Sequence, residues 1–262
     1  MKTIAVLNLK GGVAKTTTAA NLAFELSRRG GTLLVDADKQ GNATEFYCQY
    51  NDSAPAGLGE VLAAKDPAGL LYTSVISPAL DAGGTPYSGL CIMPSNTSLM
   101  RANIALLMDT SRGRETRLRR FLQRLAADVP TMQYCVVDCA PDIDMSSINA
   151  LMAADLVLVP ITLDKNARKG LREVWEQIDA AREDHPGLVA RALVTRYRPD
   201  QAAKLPEVAD LQRMATIIRE STQKVESSND AGRPLSVSSR WSNAARDYRA
   251  LAGEVLEVLG EN

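Results

Sequence analysis

An apolar run, Ile4-Ala5-Val6-Leu7, leads into Lys10-Gly11-Gly12-Val13-Ala14-Lys15-Thr16-Thr17. The next residues, Thr18 to Leu26, carry apolar side chains at Ala19, Leu22, Ala23 and Leu26. The first run reads as a buried β-strand and the last as a helix, because its apolar residues recur at helical spacing. A strand, a glycine-rich turn and a helix N-terminus together form an anion site: unpaired N–H groups and the positive end of the helix dipole converge there. Lys15 would reach the outer phosphates of a nucleotide, and the Thr16 hydroxyl would take a Mg²⁺ position. No other stretch constrains the chain as tightly.

The general phosphate-loop pattern, G-x-x-x-x-G-K-[ST], has glycines where this chain has Leu9 and Ala14. What the chain has in addition is a second lysine, Lys10. That variant resembles the deviant Walker A family, whose members dimerise with ATP sandwiched between subunits. The resemblance implies that Lys10 crosses to the partner's nucleotide and that residues 10–17 hold the phosphates. The family has glycine at the position of Ala14. If the backbone there needs φ > 0, the Cβ costs roughly 1 kcal/mol.

The 262 residues suffice for one large α/β domain, and we expect residues 1–262 to form it. A net charge of −1 rules out a global polyelectrolyte, so any nucleic-acid contact must come from a local patch. The most apolar stretch, Ile148 to Leu163, is broken by Asp155 and Pro160, which argues against a membrane span. Four cysteines, at 48, 91, 135 and 139, lack paired metal spacing, and His185 is the only histidine. These features exclude a zinc centre and a His-based triad and point to a reduced, cytoplasmic chain.

Further apolar runs alternate with helical segments: Thr32–Val35, Leu90–Met93, Tyr134–Val137, Leu156–Val159, Ala192–Val194 and Met214–Ile218. Short, continuously apolar strands alternating with helices predict a mostly parallel, twisted sheet with helices on both faces, a three-layer sandwich. Ligands in such sheets bind at the carboxyl ends of strands, where Asp36, Ser95, Asp138 and Thr195 follow these runs. Asn51–Gly59 and Ser77–Gly89 are rich in Pro, Gly and Ser and read as loops.

Asp36-Ala37-Asp38-Lys39-Gln40-Gly41-Asn42-Ala43-Thr44 resembles the family's second motif, with Lys39 in place of its proline. The resemblance implies that Asp38 orients the attacking water and that Asp36 supports the loop and the metal. Val136-Val137-Asp138-Cys139-Ala140-Pro141 resembles Walker B and the following switch, so Asp138 would hold the Mg²⁺ shell, through water. Ala140 and Asp164-Lys165 depart from the family's usual residues. The site has no strong general base, as suits phosphoryl transfer, in which positioning and charge stabilisation supply most of the catalysis.

Across nearly its whole length the chain resembles ParA-type partition ATPases. The matches continue through Ser147–Leu151, Leu156–Pro160, Thr216–Ser221, Gly232–Leu235 and Asp247–Ala252. The resemblance implies an ATP-dependent homodimer that binds double-stranded DNA without sequence preference. A centromere-binding, ParB-like partner would release it by stimulating slow hydrolysis. Arg219 and Lys224 are the DNA contacts it implies, and the chain would be nucleoid-associated. A denser run, Arg112, Arg114, Arg117, Arg119, Arg120 and Arg124, shares its helix with Leu118, Phe121, Leu122 and Leu125 and reads mainly as a solvated amphipathic face.

Other functions that share this loop fit the chain less well, a bacterial tyrosine kinase among them, since its tyrosine-rich tail is absent here. A MinD-like membrane ATPase needs a basic amphipathic C-terminus, whereas this chain ends on the acidic run Gly253–Asn262. A nitrogenase-reductase-like protein needs a second cysteine to serve beside Cys139. A nucleotide-dependent binding module without hydrolysis would need a failed Asp38. No room is expected before the first strand for the helix-turn-helix extension that some partition ATPases carry.

Overall fold

The computed structural model describes residues 1–48, 57–164, 167–208 and 211–261. Its strands are β1 (Lys2–Val6), β2 (Gly31–Ala37), β3 (Ser77–Leu80), β4 (Pro86–Met93), β5 (Met132–Cys139), β6 (Leu156–Ile161) and β7 (Val189–Val194). They form one sheet in the order β3-β4-β2-β5-β1-β6-β7, parallel throughout except for the β3–β4 pair at one edge. The helices are α1 (Lys15–Ser27), α2 (Asn42–Tyr47), α3 (Gly57–Ala63), α4 (Tyr72–Val75), α5 (Ser98–Met108) and α6 (Arg117–Asp128). They continue with α7 (Met145–Ala153), α8 (Ala167–Asp184), α9 (Thr222–Asp230), α10 (Leu235–Ser238) and α11 (Asn243–Val258).

Successive strand residues point to opposite faces, and here both faces are covered. Ile4, Val6, Leu34, Val136 and Leu158 pack on one side with Leu22 and Leu26 of α1 and Tyr248 and Leu251 of α11. Ala5, Leu7, Val35, Val137 and Val159 pack on the other with Leu58, Phe121, Leu151 and Val174, from α3, α6, α7 and α8. Two-sided burial is the reason these strands read as unbroken apolar runs. The chain leaves β1 through α1 toward β2 in one direction along the sheet, and leaves β5 through α7 toward β6 in the other. Right-handed crossovers in opposite directions put α1 and α7 on opposite faces. A crevice therefore opens at the carboxyl ends of β1 and β5, where ligands bind in folds of this kind.

Two expectations change. Met214–Ile218 is not a strand. It runs beside β7 through isolated bridges, Ala192 with Arg213 and Tyr197 with Arg219, and through Met214 N–H to Ala192 O and Ile218 N–H to Val194 O. Ser77–Gly89, expected as a loop, contributes β3 and the start of β4, an antiparallel hairpin closed by the turn around Asp81–Thr85. Of the other expected loop, residues 51–56 lie outside the described residues, and 57–59 begin α3.

The first residue of α1 follows Ala14, whose backbone is left-handed at φ 66° and ψ 36°. The α1 N-cap thus takes a conformation that glycine adopts without steric cost. Ala14→Gly is expected to stabilise the nucleotide-free chain by about 1 kcal/mol, raising its melting temperature by about 2–4 °C. A thermal melt showing no gain would mean that the loop relaxes around the alanine.

Candidate nucleotide site

The loop from Leu7 to Lys15 crosses the carboxyl edge of the sheet, held from both sides. Asn8 donates through Nδ2 to Pro160 O at 2.7 Å, and its Oδ1 accepts the Lys10 N–H at 2.9 Å. From the end of β7, Thr195 Oγ1 donates to Val13 O at 3.0 Å, and Arg196 Nη1 donates to Gly12 O at 3.2 Å. A Cβ placed on Gly11 or Gly12 would meet no atom within 4 Å, so the loop borders open space. A turn whose carbonyls are tied back into the protein leaves N–H groups to face a ligand, as anion cradles require.

Lys15 is 8% exposed, and its Nζ donates to Lys10 O at 3.0 Å. Burial lowers its pKa, while Asp138, Cys139 and Asp38 pull it back up. Lys10 lies nearer the surface, where its ammonium pairs with Asp164 Oδ2 of the same chain. Asp164 also accepts the Thr162 hydroxyl at 2.7 Å. Lys165, beside it, lies outside the described residues.

Asp36 and Asp138 are register partners on the adjacent strands β2 and β5. Asp36 is fully buried, and both its oxygens are engaged: Oδ2 accepts Thr44 N–H and Oγ1, each at 2.7 Å, and Oδ1 accepts Asp38 N–H at 3.1 Å. Burial pushes its pKa up to about 6, and the hydrogen bonds only partly offset it. These contacts tie Asp36 to the turn that leads into α2. Asp38 Oδ1 accepts Gln40 N–H at 2.9 Å, and Gly41 N–H bonds Asp38 O, which closes the turn into α2.

Asp138 differs: both its oxygens are buried without a hydrogen-bond partner. Burial first, and then the Asp36 charge, drives its pKa well above the carboxylate range, against the pull of the nearby Thr16 hydroxyl and Lys15. An orphaned carboxylate beside a hydroxyl at a helix N-terminus is a hard-oxygen donor set that suits Mg²⁺. Among the described residues no group of three or more His, Cys, Asp or Glu converges as a metal cage. A bound Mg²⁺ would therefore need phosphate oxygens and water to complete its shell, as is usual for this ion.

The two residues expected to touch DNA are near each other in sequence and unlike in setting. Arg219 is clamped by Asp247, with Nη2 to Oδ1 at 2.6 Å and Nε to Oδ2 at 3.0 Å. Lys224 is exposed on α9. The denser arginine run is largely engaged within the fold. Arg117 is buried, donating to Leu62 O at 2.6 Å and pairing with Asp109. Arg114 donates to carbonyls at the end of α5, while Arg120 pairs with Asp66 and Arg124 with Asp128. Asn8, Thr195 and Arg196 bond across the fold, to Pro160, Val13 and Gly12, so local sequence spacing does not mark them as loop contacts.

The sequence matches the AAA domain family (AAA_31) over residues 1–188. It is 30% identical to the cell division protein PomZ of Myxococcus xanthus over 97% of this chain and 77% of that one. It is 29% identical to the chromosome partitioning protein ParA of the same organism, over 97% and 87% of the two chains. The fold superposes with a TM-score of 0.80 on cobyrinic acid a,c-diamide synthase from Mycobacterium smegmatis with bound ATP analogue and magnesium. That match has 28% identity and covers 99% of this chain and 96% of the other. With its loop, its acidic strand ends and its sheet order all of this kind, the chain belongs to the AAA-domain family of P-loop ATPases and is of the ParA type.

Proposed function

We propose that this chain binds Mg²⁺–ATP in the loop at residues 10–17 and hydrolyses it slowly, as a DNA-partition ATPase that acts as an ATP-dependent dimer. The observation that carries the reading is the orphaned Asp138 carboxylate behind a lysine and a hydroxyl at a helix N-terminus. Thr16 and, through water, Asp138 would hold Mg²⁺, which would supply positive charge to the phosphates. Loop N–H groups hold the phosphates, and Lys15 neutralises charge on the outer ones. Asp38 orients the attacking water, while Asp36 fixes the Asp38 turn. Lys10 exchanges Asp164 for the partner subunit's nucleotide when the dimer forms.

Relatives named for chromosome partitioning and for cell division support an engine whose cargo is set by its partner. A ParB-like protein would then accelerate hydrolysis; an inserted arginine is worth ~10³–10⁵ in rate in comparable GTPases. Non-specific DNA would bind through phosphates at Lys224 and the outer arm of Arg219. Against a membrane role, α11 buries Tyr248, Leu251 and Val255 against the core, and no helix among the described residues is long and apolar enough to cross a bilayer.

Anisotropy of a random-sequence duplex with no nucleotide, ADP or a non-hydrolysable ATP analogue tests the whole reading. Binding should require the ATP analogue and fall steeply with salt. In Lys224→Ala the salt slope should drop by about 1, uniformly across sequences. Duplex binding that ignores nucleotide would overturn the switch. Lys10→Ala should keep ADP affinity yet stay monomeric with ATP by light scattering; a normal dimer would reassign Lys10.

Asp138 gives a pH test. Its folded-state pKa lies above the unfolded value, so the folded chain holds that proton more tightly and loses stability as pH rises above about 4. Asp138→Asn removes the loss. The variant should melt above wild type at pH 8, with the gap shrinking toward pH 5, and its nucleotide affinity should depend less on Mg²⁺ than that of wild type. A gap independent of pH would assign the stabilisation to packing.

A further inference from the structure

Among the described residues two that are not glycine have left-handed backbones, Ala14 at φ 66° and Arg196 at φ 51°. Both line the same cavity, about 260 Å³, which opens beside the phosphate loop and is bounded across from it by Ile218, Glu220 and Tyr248. Left-handed backbone at a long side chain is unfavourable and persists only where its surroundings enforce it, most often at ligand sites. The surroundings here are specific. Thr195 and Arg196, consecutive at the end of β7, donate to the consecutive loop carbonyls of Val13 and Gly12. The other guanidinium arm faces Glu220 at 3.8 Å, and Glu220 also faces Arg198 at 3.7 Å.

We propose that Arg196 is a positioning residue for nucleotide, its strained backbone aiming the guanidinium at the Gly12 carbonyl so that the loop is preset for phosphate. The inference rests on the nucleotide-binding reading above. A planar trans peptide points its C=O and N–H in opposite directions. Holding the Gly12 carbonyl toward β7 therefore turns the N–H of the next residue away from it, toward the ligand side. The same side chain walls the cavity in which a nucleoside attached to those phosphates would lie, and Glu220 keeps it from swinging into solvent.

Glycine and alanine at this position separate the brace from the strain. Both remove the guanidinium, but only glycine relieves the left-handed backbone. Full-length wild type, Arg196→Gly, Arg196→Ala, Arg196→Lys and Lys15→Ala would be titrated calorimetrically with Mg²⁺–ADP and melted without nucleotide. Arg196→Gly should melt above Arg196→Ala, yet both should bind Mg²⁺–ADP about tenfold more weakly than wild type, the loss expected for one charge-assisted hydrogen bond. Arg196→Lys should recover part of that affinity. Affinity within twofold of wild type in either truncation would overturn the proposal, and so would affinities that track the melting temperatures. Failure of wild type to bind Mg²⁺–ADP, or equal binding by Lys15→Ala, would instead remove the nucleotide-binding reading itself.

Discussion

One buried ammonium, that of Lys15, faces buried aspartates at positions 38 and 138, with Asp36 buried beside Asp138, and this imbalance organises the molecule. Parallel strands β2 and β5 bring Asp36 and Asp138 into register as neighbours, where burial and mutual repulsion oppose both charges. The chain resolves one of the two locally. Thr44 and the turn from Asp38 to Gly41 wrap Asp36 in donors, and that turn starts α2. Asp138 has no such wrapping. A folded chain that keeps an unsatisfied carboxylate at the mouth of a phosphate loop is less stable than it could be, and the deficit is of the kind a cation removes.

Backbone strain adds to the same cost at the same place. A phosphate loop needs N–H groups turned outward in sequence, and such a turn needs left-handed residues. Gly12 adopts φ 75° without steric penalty, whereas Ala14 adopts φ 66° against one. The fold holds the loop in that shape by anchoring its carbonyls and side chains to Pro160 and to the end of β7. Charge and geometry are thus set before any ligand arrives, which is what preorganisation for phosphoryl transfer requires.

How much of this was legible in the sequence depended on how local each cause was. Lys10–Thr17 could be read because strand, turn and helix N-terminus are contiguous, and the central strands because two-sided burial leaves unbroken apolar runs. Ser77–Leu80 escaped because an edge strand with Pro78 and one inward residue, Ala79, has almost no pattern to show. Met214–Ile218 has the composition of a strand, yet it meets β7 through scattered hydrogen bonds and isolated bridges instead of a continuous ladder. Arg196 was invisible for a further reason: its function lies in a contact 184 residues away in sequence, and nothing in Thr195-Arg196-Tyr197 signals a left-handed backbone.

The arginines of α6 and of the turn before it show why charge density alone is a poor guide to a nucleic-acid surface. A guanidinium contributes to binding a polyanion only if its charge is not already matched, since each phosphate contact gains by releasing counterions from DNA. Arg117 is buried against Leu62 O and Asp109, Arg114 closes the end of α5, and Arg120 and Arg124 face aspartates. Arg117 joins α6 to α3 and to the residue after α5, while Arg124 pairs within α6. Arg219 is in the same position toward Asp247, except that it sits on the rim of the cavity beside the phosphate loop and keeps part of its guanidinium in solvent. Lys224, exposed in the first turn of α9, has the better-placed charge. If dimerisation brings two such rims together, the proposed DNA surface would be built by the proposed nucleotide switch, from few cations per subunit, and that suits a chain whose net charge is −1.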